Sequence, residues 1–314
     1  MKNFGLSNVK IANVENFTTD VGMKLRRTIN KPFRAILKMA TKREIIVDRY
    51  PKLPKGKNYI FASTHSFDED IIANLATIDR NAYVLMGTTD QIDHNPQMYA
   101  AWLNGMIYVD RQDKESRKMS VEKMKRVLKF GSSVLVFPEG GWNNTENLLC
   151  QKLFASPYIL AKETGCEVVP ISAFNEHGSN KIFISVGDPI DLTKYDKVEA
   201  LDILRDKMGS MMFEAIEKHS TPLKREELTG DIHLKFMEER RKEYMRVNWT
   251  RDVWDEELTV YKSKETITPE EVWDCVDNIK IDKNNANVFA PILVKRLEHK
   301  KYDFKKYMKD NWNK

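Results

Sequence analysis

The stretch YIFASTHSFDEDIIANL, residues 59–75, decides the fold because it indicates a buried strand that runs directly into a helix. Its first four residues are apolar and rich in β-forming types, whereas the apolar residues after Asp70 follow the spacing of one helical face. His65 is therefore expected at the end of a strand and Asp70 in the first turn of a helix. In that geometry the Asp70 carboxylate can accept a hydrogen bond from one ring nitrogen of His65, which leaves the other nitrogen to act as a base.

A histidine followed by an aspartate five places later is a weak signal on its own. Aspartate accounts for roughly one residue in sixteen at average usage, and this chain has six histidines. The assignment of His65 and Asp70 as a catalytic pair therefore depends on other motifs that lie at the same edge of the fold.

Strands and helices alternate through the first two thirds of the chain. Candidate strands lie at residues 44–47, 58–62, 82–86, 106–109, 133–137, 167–171 and 181–186, and candidate helices lie near residues 69–78, 97–104, 117–129, 151–164 and 199–218. This alternation predicts an α/β fold, a mostly parallel sheet flanked by helices. Ligands of such sheets bind at the carboxyl ends of the strands, where His65 is expected.

Two further segments end predicted strands in residues that suit a binding site. The first, GMIYVDR at residues 105–111, ends in Arg111, which could hold a phosphate or carboxylate with two hydrogen bonds or form only a surface ion pair. The second, VLVFPEGG at residues 134–141, breaks into a turn where proline fixes the backbone and glycine permits unusual dihedral angles. That turn could direct backbone amides and the Glu139 carboxylate at a ligand, or it could be only a tight connection.

The N-terminal region is strongly basic and contains an amphipathic pattern. Residues 1–60 hold 14 lysines and arginines against 4 acids, so the remaining chain is net acidic within a total charge of +5. Basic residues surround one apolar helical stripe, which consists of Val21, Leu25, Ile29, Phe33, Ile36 or Leu37, and Ala40. The pattern predicts an amphipathic basic helix, or a helix pair if Pro32 divides it.

Two interpretations of this basic helix stay open. It is either an ordinary surface helix packed on the core, or an interfacial helix that lays its apolar face on anionic lipid. The second interpretation predicts a membrane surface as a partner, with the protein peripheral on the inner, cytoplasmic face. Nucleic acid is not predicted as a partner, because the basic stretch lacks interleaved aromatic residues. No apolar run reaches the roughly 18 residues of a membrane span, and we see no signal peptide.

The three cysteines, Cys150, Cys166 and Cys275, are widely spaced and show no metal-binding or redox pattern. We expect reduced thiols in a cytosolic protein, and we predict neither a metal site nor a cofactor.

The chain changes character after about residue 215. Charges become dense and mixed, as in EERRKE at residues 238–243, and TPEE at residues 268–271 is typical of a helix start. We therefore predict three parts, namely an N-terminal segment at residues 1–44, a catalytic domain at residues 45–215 and a helical C-terminal extension at residues 216–314.

Four motifs occur in the order and approximate spacing of the four motif blocks of the glycerolipid acyltransferases. They are His65-x4-Asp70, YVDR ending at Arg111, FPEG at residues 137–140 and VVPI at residues 168–171. The chain resembles the 1-acylglycerol-3-phosphate (lysophosphatidic acid) acyltransferases most. Four blocks in order are far more specific than any single block, and the resemblance covers about residues 20–215.

The resemblance implies a role for each matched residue. His65 would be the general base that takes the proton of an acceptor hydroxyl, and Asp70 would orient it. The hydroxyl would attack an acyl thioester directly, with acyl-CoA or acyl carrier protein as the donor. Arg111 would bind the phosphate of a lysolipid acceptor. Beside the same acceptor would lie the third block, Phe137, Pro138, Glu139 and Gly140.

Departures from the family pattern leave the acceptor head group open. Gly141-Trp142-Asn143 follows Gly140, where the family usually has a small hydroxyl residue and an arginine. Lys152 matches a basic position common in the family and could compensate in part, while Thr64 and Asp68 replace an asparagine and a serine. The acceptor predicted from the resemblance is 1-acylglycerol-3-phosphate, with a different lysolipid or a glycolipid as the alternative. A non-catalytic lipid-binding protein on the same fold is the alternative class, although such a protein has no need of an oriented base.

Overall fold

The computed structural model describes residues 18–87, 105–110, 113–143, 145, 148–227, 230–246, 268–279, 281, 285–301, 303 and 306. The strands are β1 Glu44–Arg49, β2 Ile60–Ser63, β3 Ala82–Gly87, β4 Ile107–Val109, β5 Ser133–Val136, β6 Val168–Phe174 and β7 Lys181–Val186. They form one seven-stranded sheet in the order β1-β7-β6-β2-β5-β3-β4. Of the six pairings between these strands, five are parallel, and the pairing of β6 with β7 is antiparallel.

Eight α-helices accompany the sheet in the part of the chain that the structure describes. They are α1 Asp20–Ala40, α2 Asp70–Thr77, α3 Lys114–Lys129, α4 Ser156–Thr164, α5 Lys197–His219, α6 Ile232–Arg246, α7 Pro269–Asn278 and α8 Ala286–His299. None of these helices combines the length and the hydropathy that a membrane crossing requires.

The predicted α/β class and all seven predicted strands are confirmed, as are four of the five predicted helices. The remaining helix, predicted near residues 97–104, lies outside the described residues. The helix predicted from residue 151 begins only at Ser156, with Pro157 in its first turn. Its expected first residues, 151–154, have no regular secondary structure, and the amide of Phe154 donates to the carbonyl of Pro138 at 2.7 Å instead of to a helix.

The basic N-terminal helix is continuous. α1 contains Pro32 within its 21 residues, so of the two predicted alternatives the single helix is confirmed and the helix pair is not. Thr28, whose carbonyl loses its helical hydrogen bond, lies like Pro32 on the exposed side. Water can bond to that carbonyl there, which reduces the cost of the proline.

The central strand β2 is buried on both faces. Phe61 packs into one hydrophobic core together with β6 and β7, whereas Ile60 and Ala62 pack into a second core on the opposite face. Alternate residues of a strand point to opposite sides, so a strand between two cores must be apolar throughout. This explains the uninterrupted apolar run that precedes His65.

Contacts divide the chain into two compact units, Met1–Val260 and Tyr261–Lys314. In the second unit the Trp273 and His299 rings stack with centroids 4.0 Å apart, and Arg296 donates to the carbonyls of Val276 and Ile279. The predicted helix start at residues 268–271 is confirmed by α7. The three-part division predicted from the sequence, with boundaries after residues 44 and 215, stays a prediction.

Candidate active site

The sheet brings three loops together at one edge. β2 lies between β5 and β6, and both neighbours run parallel to it. The carboxyl ends of these three strands therefore share one edge, and they lead into His65, into Phe137 and into Asn175. The predicted catalytic histidine and the third motif block are adjacent for this reason.

His65 and Asp70 form the hydrogen-bonded pair that the sequence predicts. His65 Nδ1 donates to Asp70 Oδ2 at 2.8 Å and lies 3.1 Å from Oδ1. The Asp70 side chain is fully buried, whereas 16% of the His65 side chain is exposed. A carboxylate at Nδ1 selects the tautomer in which Nε2 carries a lone pair, so the imidazole is prepared to accept a proton.

The turn before α2 holds the Asp70 carboxylate. Its Oδ2 also accepts the backbone amides of Ser66 at 2.9 Å and Phe67 at 3.2 Å. As the first residue of α2, Asp70 lies where the helix dipole favours negative charge. Asn74 donates to the Asp70 carbonyl and to Ser63 Oγ at the end of β2, which locks strand, turn and helix together.

Glu139 supports His65 from the neighbouring strand. The residue is 4% exposed, its Oε1 accepts the His65 amide at 3.1 Å, and its Oε2 accepts the Gln151 amide at 2.8 Å. Burial raises the pKa of Glu139 to about 7, although the two amide donors act in the opposite direction. Both oxygens thus bond to backbone, and substrate contact by this side chain stays a prediction.

The loop after β5 is tied to His65 from both ends. The Asn143 amide donates to the His65 carbonyl at 2.7 Å, and Asn143 Nδ2 donates to the carbonyl of Leu148. Gln151 Nε2 donates to the carbonyl of Trp142 at 3.2 Å. The backbone of His65 is therefore held through its amide by Glu139 and through its carbonyl by Asn143.

The FPEG turn has the backbone that its sequence predicts. The Phe137 ring lies 4.4 Å from the His65 imidazole, measured between centroids. Gly140 adopts a φ of 81°, a conformation that favours glycine, and a Cβ there would lie 2.3 Å from the Phe154 ring. Pro138 is buried beneath the same loop.

Residues 44–173 match the family model described as Acyltransferase. They form an acyltransferase domain. His65, Asp70 and the FPEG turn all lie inside the match, so the resemblance drawn from the motifs is confirmed at the level of the family. The match supports an enzyme of this kind.

One solved structure similar to the chain is the 1-acyl-sn-glycerophosphate (LPA) acyltransferase PlsC from Thermotoga maritima. It is 18% identical with a TM-score of 0.47, and the alignment covers 66% of this chain and 86% of that chain. A comparison with curated proteins found no match.

Three departures of the acyltransferase domain from its family pattern have structural partners. Asp68 forms an ion pair with Arg43 at 2.7 Å, and Thr64 Oγ1 accepts the amide of Ala173 in β6. Trp142 is 6% exposed, and its ring meets the imidazole of His65 edge-on at 6.2 Å between centroids. With so little exposed surface, Trp142 forms part of the wall beside the base rather than an open stacking platform.

A groove of about 420 Å³ begins beside the catalytic pair, at Ser66. Much of its lining is apolar, and these side chains come from the loop after β5, from the end of β6, from α5 and from α6. They include Leu148, Phe174, Met212, Ile216 and Phe236. The acyltransferase domain therefore shares its groove with a helix that lies beyond the matched residues.

The helix α6 forms one side of this groove. Arg240 Nη2 donates to the Ser66 carbonyl, and the Arg240 guanidinium lies 5.8 Å from the centre of the Trp142 ring. Glu239 Oε2 lies 3.1 Å from His177 Nε2, and the Phe236 ring lies edge-on to the His177 ring. α6 thus contacts the loop after β2 and the loop after β6.

Two further binding residues, Lys152 and Arg111, are predicted from the sequence. Lys152 is exposed, and its contact with substrate stays a prediction. Arg111 lies outside the described residues. The strand before it, β4, is three places from β2 in the sheet, which is about 14 Å at the usual strand spacing. Across the described ranges, no group of three or more His, Cys, Asp or Glu side chains is arranged to hold a metal.

Sequence analysis gave no role to Gln151, Asn143 or Arg240. Gln151 and Asn143 act mainly through backbone groups that pair across the loop, and such pairs leave no residue pattern. Arg240 lies in a run of charged residues that all look equivalent in the sequence. Its position at the site depends on how α6 packs.

Proposed function

We propose that the chain is an O-acyltransferase that moves a fatty acyl group from an acyl thioester to the free hydroxyl of 1-acylglycerol-3-phosphate, as a step in phospholipid synthesis. The observation that carries this proposal is the His65–Asp70 pair, in which a fully buried carboxylate holds Nδ1 at 2.8 Å. A binding protein gains nothing from an oriented base, whereas acyl transfer to an alcohol requires one.

The reaction that this pair supports is a direct transfer. Nε2 of His65 removes the proton of the acceptor hydroxyl as the oxygen attacks the thioester carbonyl carbon, and Asp70 stabilises the resulting imidazolium. The tetrahedral oxyanion collapses, the carbon–sulfur bond breaks, and the leaving thiolate takes the proton from Nε2. No acyl-enzyme forms, because the acceptor oxygen is itself the nucleophile.

The oxyanion needs hydrogen-bond donors close to His65. The amides of Ser66 and Phe67 donate to Asp70, and the amide of Gly140 donates to the carbonyl of Phe137. The oxyanion would therefore have to accept hydrogen bonds from other N–H groups of the same two turns.

The acyl donor carries coenzyme A or an acyl carrier protein. The largely apolar groove beside Ser66 offers the surroundings that its fatty acyl chain requires.

We further propose that the protein works at an anionic membrane surface, docked by α1 on the cytoplasmic side. Five large apolar side chains of α1 are exposed: Val21, Leu25, Ile29, Ile36 and Met39. Among them Met39 is 85% exposed and Val21 is 78% exposed. An exposed apolar stripe of this length on one helix is suited to lie among lipid head groups, with the exposed Lys24 and Lys31 beside it attracting anionic lipid.

Three arginines attach α1 to the domain. Arg26, 3% exposed, donates to the carbonyl of Ala82 at 2.8 Å, and its guanidinium lies 4.1 Å from the centre of the Tyr83 ring. Burial lowers the pKa of Arg26 to about 10, so it stays cationic at neutral pH. Arg27 donates to Phe130, and Arg34 donates to Ala76. This attachment directs part of the basic charge inward and supports the docking role of the opposite, apolar face.

The proposed reaction is tested by product analysis. The purified protein is incubated with an acyl thioester together with one acceptor at a time: 1-acylglycerol-3-phosphate, other lysophospholipids or a lysoglycolipid. The lipid products are measured by mass spectrometry. We expect diacylglycerol phosphate to accumulate. Acylation of a different acceptor alone would change the assigned substrate, and the absence of any acylated lipid would contradict the proposed reaction.

A further inference from the structure

The groove beside the catalytic pair has an unusual charge distribution. Its described lining includes serine, threonine and asparagine side chains, one glutamate and one histidine. Arg240 is the one side chain in this described lining that is cationic at every physiological pH. A groove for a neutral ligand has no need of such a cation beside its base.

The contacts of Arg240 place it at the reacting end of the groove. Its Nη2 donates to the carbonyl of Ser66, the residue next to His65. Its guanidinium lies over the ring of Trp142, whose centroid is 6.2 Å from that of the His65 imidazole. Arg240 and the catalytic base are thus neighbours of the same indole ring.

The position of Arg240 suits the chemistry of a phosphate-bearing acceptor. In 1-acylglycerol-3-phosphate the free hydroxyl and the phosphate ester are on adjacent carbons. The protein group that binds the phosphate must therefore lie close to the base that acts on the hydroxyl. Arginine presents five N–H donors in a planar fork, which matches the oxygens of a phosphate.

We propose that Arg240 binds the phosphate of the acceptor and so determines the head group that the enzyme selects. This inference deepens the proposed function and depends on it for the identity of the acceptor. Gly141 and Trp142 occupy the places where an arginine is expected in the family pattern, and the cation is supplied instead from α6, more than sixty residues beyond the end of the matched domain.

The helix that carries Arg240 is held in place independently of the phosphate. Glu239 pairs with His177, and Phe236 packs edge-on against the same histidine. Both contacts are made with the loop after β6, and neither involves Ser66. Replacement of the Arg240 side chain therefore leaves these two attachments of α6 intact.

The rival role for Arg240 is a purely structural link between α6 and the His65 loop. Arg240→Gln separates the two roles, because a glutamine amide can still donate to the Ser66 carbonyl but carries no charge. Arg240→Lys keeps the charge and loses the fork. Lys242→Ala is the matched control, because Lys242 is exposed on the same helix, where it pairs with Glu238.

The test measures binding separately from turnover. Each variant is combined with His65→Ala, which stops the reaction, and is titrated with 1-acylglycerol-3-phosphate and with 1-acylglycerol, both in neutral detergent micelles. We expect Arg240→Gln to weaken binding of the phosphate lipid roughly tenfold to a hundredfold, with Arg240→Lys in between. Binding of 1-acylglycerol should stay unchanged in every variant, and Lys242→Ala should match the parent for both lipids.

Two results would overturn the inference. Arg240→Gln could bind the phosphate lipid as tightly as the parent, or it could weaken binding of both lipids equally, which is the signature of a structural link. Acyl transfer by the protein with an intact His65 is assayed in parallel. If acyl transfer is observed but binding does not depend on Arg240, only the role of Arg240 is refuted. If binding depends on Arg240 but no acyl transfer is observed, only the proposed reaction is refuted.

Discussion

At the scale of single residues, the proposed roles of His65 and Asp70 predict how much acyl transfer each side chain supports. His65→Ala should abolish acyl transfer, and Asp70→Asn should lower the rate by roughly a hundredfold or more. An asparagine at this position can donate to Nδ1, which would place the ring proton on Nε2 and remove the base. Rates of acyl transfer and thermal unfolding, measured together, check that the loss is chemical.

A second histidine–aspartate pair provides the control. His219 Nε2 lies 2.6 Å from Asp48 Oδ2, and the His219 side chain is 14% exposed. The pair therefore has the same residue types as His65–Asp70 and a similarly exposed histidine, but the other ring nitrogen faces the carboxylate. His219 ends α5 and Asp48 lies in β1, and neither residue is a described partner of His65 or Asp70. His219→Ala should leave the rate within a fewfold of the parent, and equal losses in both histidine variants would contradict the assignment of the base.

Glu139 makes stability depend on pH. Its pKa of about 7 in the folded protein exceeds its ordinary value of 4.5, so between these values the folded protein binds a proton that the unfolded chain has released. The free energy of unfolding therefore contains a contribution that falls as pH rises from about 4.5 to about 7, on the order of 3 kcal/mol in total. Glu139→Gln should remove this contribution.

Denaturant unfolding at pH 5 and pH 8 measures this contribution of Glu139 to the free energy of unfolding. We expect the parent to lose more stability than Glu139→Gln over this interval. The variant itself should be less stable than the parent at pH 8, because an amide nitrogen cannot accept the backbone N–H that one Glu139 oxygen accepts. Parallel losses of stability in the two proteins would show that Glu139 does not titrate in this range.

Among the elements, α1 carries the prediction about membranes. Replacing both Ile36 and Met39 with aspartate should reduce binding to anionic vesicles at least tenfold, because two exposed apolar side chains are lost and like charge is introduced. Stability should hardly change, since both side chains are exposed. Binding by the unaltered chain should weaken as salt is raised.

Val288→Asp is the control for general hydrophobicity. Val288 is 76% exposed and lies in α8, in the other compact unit. Vesicle co-sedimentation of this variant should match that of the parent. An equal loss of binding in the two variants would mean that exposed apolar residues throughout the protein, rather than the stripe of α1, attach it to lipid.

The same element marks a limit of sequence analysis. Spacing correctly predicts that α1 is a helix with one apolar face, but an apolar face serves equally well for packing and for exposure. Met23 and Arg26 lie on the buried side of α1 instead, although arginine side chains are usually exposed to water. Only the positions of Ala82 and Tyr83 explain why that arginine is buried.

At the scale of the whole molecule, the division into two units predicts how far the chain can be shortened. Every contact described for His65, Asp70, Glu139 and Arg240 lies within Met1–Val260. A chain that ends at Val260 should fold and should retain acyl transfer within a fewfold of the parent. Removal of α6 as well, by ending the chain at Ser220, should strongly impair acylation of the phosphate acceptor.

Circular dichroism and acyl-transfer rates on the two shortened chains check this expectation. A loss of helical signal beyond that of α7 and α8 in the longer chain would show that the second unit is needed for the first to fold. Full activity toward 1-acylglycerol-3-phosphate in the shorter chain would contradict a role for α6 in the site.

The fold could be predicted further from the sequence than the site could. Short apolar runs identify all seven strands, and β2, which lies between two cores, shows why such a run can be uninterrupted. The order of the strands and the reversed direction of β7 leave no such pattern. At the site, His65 and Asp70 are close in the sequence and were predicted, whereas the bonds from Glu139 to His65 and from Arg240 to Ser66 join residues 74 and 174 positions apart. Contacts of that range depend on packing, which local patterns do not record.

The position of β2 at the centre of the sheet also matters while the chain is being synthesised. β2 leaves the ribosome early, but its two partners follow much later, and the bond from Ala173 to Thr64 joins residues 109 positions apart. Until β6 is synthesised, this buried strand has at least one open edge, which is a template for aggregation. The emerging chain should therefore be a good client for chaperones that bind extended apolar segments, and acyl-transfer activity cannot appear before about residue 174 has emerged.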